Sequence, residues 1–255
     1  MEKLFRLLSL VVFLPLILSC NIYAPLTGNS STEDHLEEAR RCLHSGDYAC
    51  AIAEYEKLPD GSLKQQKLCT VHLSRMGFTL SSLINTVQEQ SSGVLGKLAN
   101  NLGAWSSDKY ASAEAARTQC LAFAGQSDSG DLGVLLKTLG LLGHCANLIS
   151  KADLIVGVTD SDTEDCTTAG NANGTVNAAD ISKDGSGAAS EASPAMCAKD
   201  AIACRTDILA LDPSALEGSK LGDIKGAYDQ IPAELKDEGV GIAALRNGLA
   251  TTLAR

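Results

Sequence analysis

The sequence predicts an all-α fold, and three of its features favour that class. Aromatic residues make up only 4% of the 255 residues, whereas Ala, Leu, Gly and Ser are abundant. This composition suits helices that pack through small side chains better than it suits a β-sandwich or barrel. Apolar residues also recur at helical spacing from residue 32 onward. We therefore expect antiparallel helical hairpins, a long acidic loop and several disulfides.

The chain opens with a signal segment that is followed by a cysteine. Lys3 and Arg6 precede an apolar run that is too short to span a bilayer as a helix. Residues 17–20, Ile-Leu-Ser-Cys, resemble the lipobox of bacterial lipoproteins. The resemblance implies cleavage after Ser19, diacylglycerol on the thiol of Cys20 and an acyl chain such as palmitate on its new amine. The alternative is an ordinary secretory signal with an incidental cysteine.

The same resemblance implies a location. Two membrane signals suffice for stable anchoring, and the acyl chains of a lipoprotein exceed that requirement. We therefore expect the mature chain to stay on a membrane of the cell envelope. Asn21 follows the modified cysteine, which by analogy with enteric bacteria favours the outer membrane, on either its periplasmic or its exterior face. A net charge of −10 without a basic run argues against a nucleic-acid partner.

The cysteines indicate an oxidising compartment. With Cys20 assigned to lipid, eight of the nine cysteines remain, an even number that predicts four disulfides in an exported chain. The candidates are Cys42, Cys50, Cys69, Cys120, Cys145, Cys166, Cys197 and Cys204. Five of these precede residue 150, so complete pairing requires at least one bridge between the two parts of the chain.

Helix geometry restricts the pairing further. Cys197 and Cys204 lie seven positions apart on one expected helix, about 10.5 Å, which is too far for a mutual bond. Cys166, in the preceding loop, is a candidate partner for one of them. Cys120–Cys145 is the expected bridge across adjacent helices. Structural zinc is the alternative use of these cysteines and nearby histidines, but no CxxC or HxxxH spacing supports it.

Residues 33–58 predict two helices joined by a Ser-Gly-Asp turn. The stretch EARRCLHSGDYACAIAEYEKLP within them resembles one tetratricopeptide (TPR) repeat. The resemblance implies that Ala39 of the first helix faces Ala51 of the second and that Gly46 closes the turn. It also implies a helical scaffold that offers a surface to protein or peptide partners.

The stretch departs from the TPR pattern in two places. Cys42 stands where an aromatic residue is usual, and Pro59 ends the second helix early. A weaker second copy is expected over 63–87. Tyr48 and Tyr55 mark the face on which a partner would first be sought, although both are also suitable core residues. A generic helical hairpin is the alternative.

Further helices are expected over 93–124 and 131–158. The second of these stretches is the most apolar part of the mature chain, but polar residues interrupt it, which argues against a membrane span. We expect its glycines to be points of close helix approach and His144 to be a satisfied core or boundary histidine; a catalytic or ligand role is the alternative for His144. Ser193 and Pro194 form an N-cap and first-turn pair, which predicts a helix from there to about Leu211.

Residues 159–193 are acidic, rich in Gly, Ser and Asn, and without a period. Two frames in this loop resemble the calcium loop of EF-hand and dockerin modules, which needs spaced oxygen ligands around a glycine. One frame offers Asp180, Ser182, Asp184, Ser186 and Glu191, and the other offers Asn171, Asn173 and Asn177. The first has Gly187 where an apolar residue is usual, and the second lacks the first acid. A solvated, disulfide-stapled loop is the alternative to Ca²⁺ binding.

The sequence contains no pattern that predicts catalysis. GxSxG, HExxH, P-loop and dinucleotide-binding motifs are all missing. We therefore expect a non-catalytic envelope lipoprotein that acts as a helical scaffold or adaptor; the alternative is a calcium-stabilised structural or adhesion module. The expected organisation is signal peptide 1–19, lipidated cysteine and tether 20–32, TPR-like region 33–158, acidic loop 159–193, and C-terminal helices 194–255 packed on the same domain.

Overall fold

The structure is a computed structural model that describes residues 31–78, 94–152, 196–217, 222–229 and 231–252. In these ranges all regular structure is helical and no strand occurs, so the all-α prediction is confirmed. The α-helices are α1 Thr32–His44, α2 Tyr48–Glu56, α3 Ser62–Arg75, α4 Val94–Leu102, α5 Ser107–Ala124, α6 Gly130–Lys151, α7 Ala198–Leu209, α8 Pro213–Glu217, α9 Gly222–Asp229 and α10 Ile242–Thr251. A 3₁₀ turn, Ala233–Lys236, precedes α10.

The N-terminal hairpin, which we define as α1 and α2, is built by local signals. The Ser31 hydroxyl accepts a hydrogen bond from the Asp34 amide, and the Asp34 carboxylate accepts one from the Ser31 amide, which completes a capping box. Asp47 caps α2 through the Cys50 amide. Between the helices Gly46 adopts a φ of +76°, a left-handed conformation that favours glycine. The expected helix–turn–helix is therefore present.

Helix α3 has two buried faces and joins two hydrophobic clusters. Leu68 and Val71 pack into a small cluster with the N-terminal hairpin. Cys69, Leu73 and Met76 belong instead to the main core, where α3 packs against α5. Helix α3 thus connects the two clusters: one of its sides packs on the N-terminal hairpin, and its other side packs on the main core.

Helix α6 is the centre of the main core and packs against α4, α5 and α7. By length and composition it could cross a membrane, but 78% of its most apolar window is buried inside the fold. It approaches its neighbours through glycines, as expected. A Cβ on Gly140 would lie 2.9 Å from the Cβ of Cys120, and one on Gly143 would collide with the Met76 methyl group.

Three disulfides join described residues, which confirms a disulfide-bonded fold: Cys42–Cys50, Cys69–Cys120 and Cys145–Cys204. The expected Cys120–Cys145 bridge is wrong, because Cys120 faces α3 and Cys145 faces α7. The Cys145–Cys204 bond supplies the required link between the two parts of the chain. Cys197 is also disulfide-bonded, and its partner lies outside the described residues, as does Cys166.

The start of α7 differs from the prediction. Met196 and Cys197 are not helical, and the helix begins at Ala198 rather than at Pro194. The reason is tertiary: both side chains are buried, and Arg246 Nε donates a 2.7 Å hydrogen bond to the Met196 carbonyl oxygen. That carbonyl is held by α10 instead of by a helical turn. Ile208, Leu235 and Leu245 then place the C-terminal elements in the main core.

Candidate functional site

The most unusual feature of the core is a set of buried and half-buried polar side chains, which we call the polar seam. It crosses α5, α6 and α7 and contains Tyr110, Arg117, His144, Asn147, Lys151, Asp200 and Asp207. Each helix contributes one pair spaced by seven residues, which is two helical turns or about 10.5 Å along the axis. The seam therefore has two charged ends, with Asn147 between them on α6.

One end of the seam is centred on Asp207, whose side chain is only 1% exposed. Its Oδ1 accepts a 2.5 Å hydrogen bond from Arg117 Nε, and its Oδ2 lies 2.5 Å from His144 Nδ1. Because a carboxylate beside an arginine is an acceptor, His144 Nδ1 carries the proton in this contact. Asp207 thereby fixes the tautomer of His144 and joins α5 to α6 and α7.

The other end is an ion pair between Lys151 Nζ and Asp200 Oδ2, 2.8 Å apart. Lys151 Nζ also lies 5.8 Å from the ring centre of Tyr110, a cation–π contact. The Tyr110 ring is in turn 6.2 Å from the His144 ring, and its hydroxyl lies 2.8 Å from Glu114 Oε1. Tyr110 therefore contacts residues at both ends of the seam.

Two uncharged side chains inside the seam have polar atoms without a partner in the protein; Asp200 Oδ2 also lacks a hydrogen bond of good geometry, but it is ion-paired with Lys151. Asn147 is 0% exposed, and neither its Oδ1 nor its Nδ2 has a hydrogen-bond partner in the protein. His144 Nε2 is likewise buried without a partner. Each such group costs about 1–3 kcal/mol when it is left unpaired. The expectation of a satisfied histidine holds for Nδ1 and is wrong for Nε2.

The seam is not predicted from the sequence, because His144, Asn147 and Lys151 interrupt an apolar run and, in that context, argue only against a membrane span. The usable signal was their spacing. His144, Asn147 and Lys151 follow one another at i, i+3 and i+7, which places them on one face of a helix. The partner carboxylates lie far along the chain, so no local pattern could connect them.

The N-terminal hairpin contains a second histidine–carboxylate pair. His35 Nδ1 and Glu54 Oε2 are 2.8 Å apart, and the two side chains are 15% and 16% exposed. Hydrogen bonds from Lys57 and then from His35 lower the pKa of Glu54 below its usual value. On α3, burial and, to a smaller degree, Arg75 lower the pKa of His72 to about 4.

Those residues singled out from sequence that the structure describes are not gathered into one site. Tyr55 is buried, which raises the pKa of its hydroxyl, and Tyr48 is half-buried in the same cluster. Cys20 and both calcium frames lie outside the described residues, and so they stay predictions. Among the residues that are described, no group of three or more metal-ligating side chains comes together.

Comparison of the chain with protein-family models, with curated proteins and with solved structures gave no match. The class of protein is therefore defined by its fold and its side chains alone. It is an all-α protein with disulfides and with a charged seam through its core.

Proposed function

We propose that the chain is a membrane-anchored lipoprotein of the bacterial cell envelope, where it acts as a non-catalytic helical scaffold for a protein partner. The proposal rests on the arrangement of the N-terminal hairpin. Ala39 and Ala51 are both 0% exposed and belong to one small cluster, as a TPR-like interface requires. Gly46 closes the turn between the helices.

The departure from the TPR pattern has a physical account. Cys42, which replaces the usual aromatic residue, is bonded to Cys50 at the start of α2. A covalent clamp across the turn replaces the contact area that an aromatic side chain would bury. The hairpin can thus keep a TPR-like geometry with little apolar surface, which suits a module that keeps its outer face for a partner.

The packing order of the first helices supports the same use. Helix α1 packs mainly against α2, and α2 also packs against α3. Such neighbour-to-neighbour packing is typical of helical repeats and leaves the outer side of the first helix uncovered by the other described helices. Arg40 and Arg41 on α1 are largely exposed, at 66% and 68% of their side chains. We place the partner surface there.

Anchoring is the second part of the proposal. Disulfides are typical of oxidising compartments outside the cytoplasm, and three of them join described residues. Together with the lipobox-like residues before Cys20, they favour export followed by lipidation. Replacing Cys20 by Ser should release the protein from the membrane fraction. If this variant fractionates like the wild type, the anchoring proposal is wrong.

Site-specific photo-cross-linking in cells tests the scaffold. A photoreactive residue is placed at Arg41 on α1 in a C-terminally tagged full chain, and at the exposed Asp128 between α5 and α6 as a matched control. We expect one dominant envelope protein to cross-link at position 41 and not at 128. No partner at either position, or equal capture at both, would contradict the assignment of the surface.

The calcium-stabilised module remains the alternative function and has its own test. Calcium should raise the melting temperature of the wild type, and Asp184→Ala should abolish that shift. A calcium shift without a cross-linked partner would favour the module over the scaffold.

A further inference from the structure

We propose that the polar seam contains a binding site for a small neutral molecule that carries a primary carboxamide. The proposal is independent of the scaffold function and rests on the unpaired atoms of Asn147 and His144. Both residues are buried, and they sit three positions apart on one face of α6, so their side chains are neighbours.

The boundaries of the site follow from the seam. Arg117 and Asp207 close one end, and Lys151 and Asp200 close the other. Tyr110 contacts both His144 and Lys151, which lie on either side of Asn147 along α6. Tyr110 is half-buried, whereas Asn147 is fully enclosed. We place the entrance of the site at this half-buried ring.

The charges of the seam select a neutral ligand. Two cations, Arg117 and Lys151, are matched by two carboxylates, Asp200 and Asp207. A further charge would enter a balanced and largely dehydrated region, where an unpaired ion is costly. Carboxylates, phosphates and ammonium groups are disfavoured on this ground.

The unpaired atoms select the functional group. With the proton of His144 on Nδ1, its Nε2 is an acceptor in the neutral ring, Asn147 Oδ1 is another acceptor, and Asn147 Nδ2 is a donor. A primary carboxamide offers two N–H donors and one carbonyl acceptor, which matches all three atoms. A hydroxyl group has a single donor and leaves one acceptor unpaired.

Nitrogen-15 NMR of the histidine rings tests the proposal. The lipidated full chain, labelled at its four histidines, is titrated in detergent with acetamide, and with acetate and methylamine as charged controls. We expect a saturable shift of the His144 Nε2 resonance with acetamide only. His35, which is paired with Glu54 in the N-terminal hairpin, is an internal control and should not shift. His144→Gln and His35→Gln assign the two signals.

Two further variants separate binding from structure. Asn147→Leu removes the carboxamide and should weaken the acetamide response at least about tenfold, the effect of one lost hydrogen bond of ordinary strength. Tyr110→Ala should speed the exchange between free and bound signals. The proposal is overturned if the His144 signal of the wild type does not respond to acetamide, or if the charged probes shift it equally. It is also overturned if the seam holds only an internal water, which acetamide does not displace. The wild-type titration decides even if a variant fails to fold.

Discussion

The two histidine–carboxylate pairs of this protein have the same chemistry in two different regions. His35–Glu54 lies at the edge of the N-terminal hairpin, where both side chains keep some contact with water. His144–Asp207 lies inside the core, where the carboxylate is almost fully buried and also binds Arg117. Burial rather than the identity of the pair decides what each is worth. The hairpin pair is a partly exposed contact at the edge of the fold, whereas the core pair neutralises a carboxylate that is almost fully buried.

The largest expected effect comes from breaking the core pair. Asp207→Asn takes a buried acceptor from both Arg117 and His144 and should destabilise the fold by about 3–5 kcal/mol, the usual cost of removing one partner from a buried ion pair. The lower figure is expected because the Arg117 side chain is 33% exposed. The matched change Glu54→Gln should cost about 1 kcal/mol or less. Urea unfolding of both variants measures the difference. Equal losses would mean that burial does not distinguish the two regions.

The disulfides of the two regions should differ in the same direction. Cys145 and Cys204 are 59 positions apart, whereas Cys42 and Cys50 are 8 apart. Loop-closure entropy predicts a loss of about 4 kcal/mol for the Cys145→Ala/Cys204→Ala double variant and about 2–3 kcal/mol for Cys42→Ala/Cys50→Ala. Guanidinium unfolding under oxidising conditions measures the two losses in unfolding free energy. A larger loss for the Cys42/Cys50 variant would contradict the argument from loop length.

His72 on α3 extends the comparison of histidines, because its Nδ1 is buried without a partner in the protein. The pKa of His72 is lowered from 6.5 to about 4, so the unfolded chain binds a proton more readily than the folded one. Stability is therefore unaffected above about pH 6.5 and falls as the pH drops from there to about 4. In His72→Gln this part of the pH dependence should be missing from urea midpoints measured across that window.

The smallest expected effect is the loss of a helix N-cap, which should be equal in the two regions. Ser31 caps α1, and Ser106 caps α5 through the Lys109 amide. Because a cap acts on its own helix end, Ser31→Ala and Ser106→Ala should each cost about 1 kcal/mol. Thermal melts of the two variants measure this. A much larger loss at Ser106 would show that local contacts, and not only buried charges, distinguish the core from the hairpin.

The parts that could be predicted from sequence are those set by neighbouring residues. The hairpin was predictable because Ser31, Asp47 and Gly46 specify two helix starts and a turn within a short stretch. The prediction that the glycines of α6 are points of close helix approach is confirmed. The scaffold, the lipid anchor and the calcium loop stay predictions.

The parts that could not be predicted depend on contacts between distant segments. The pairing of Cys145 with Cys204 follows from α7 packing on α6, which no local spacing indicates. The late start of α7 follows from Arg246, fifty residues away, which donates a hydrogen bond to the Met196 carbonyl oxygen. The polar seam combines both difficulties, since Asp207 meets His144 only in the folded chain.

The order of the disulfides along the chain has a consequence for biosynthesis. Cys42–Cys50 and Cys69–Cys120 each join cysteines that follow one another in sequence, so an oxidase acting on a chain that emerges N-terminus first forms them directly. The Cys145–Cys204 bond instead encloses two other cysteines. Oxidation in order of emergence would join Cys145 to Cys166. We expect the first half to mature with an oxidase alone and the second half to need a disulfide isomerase.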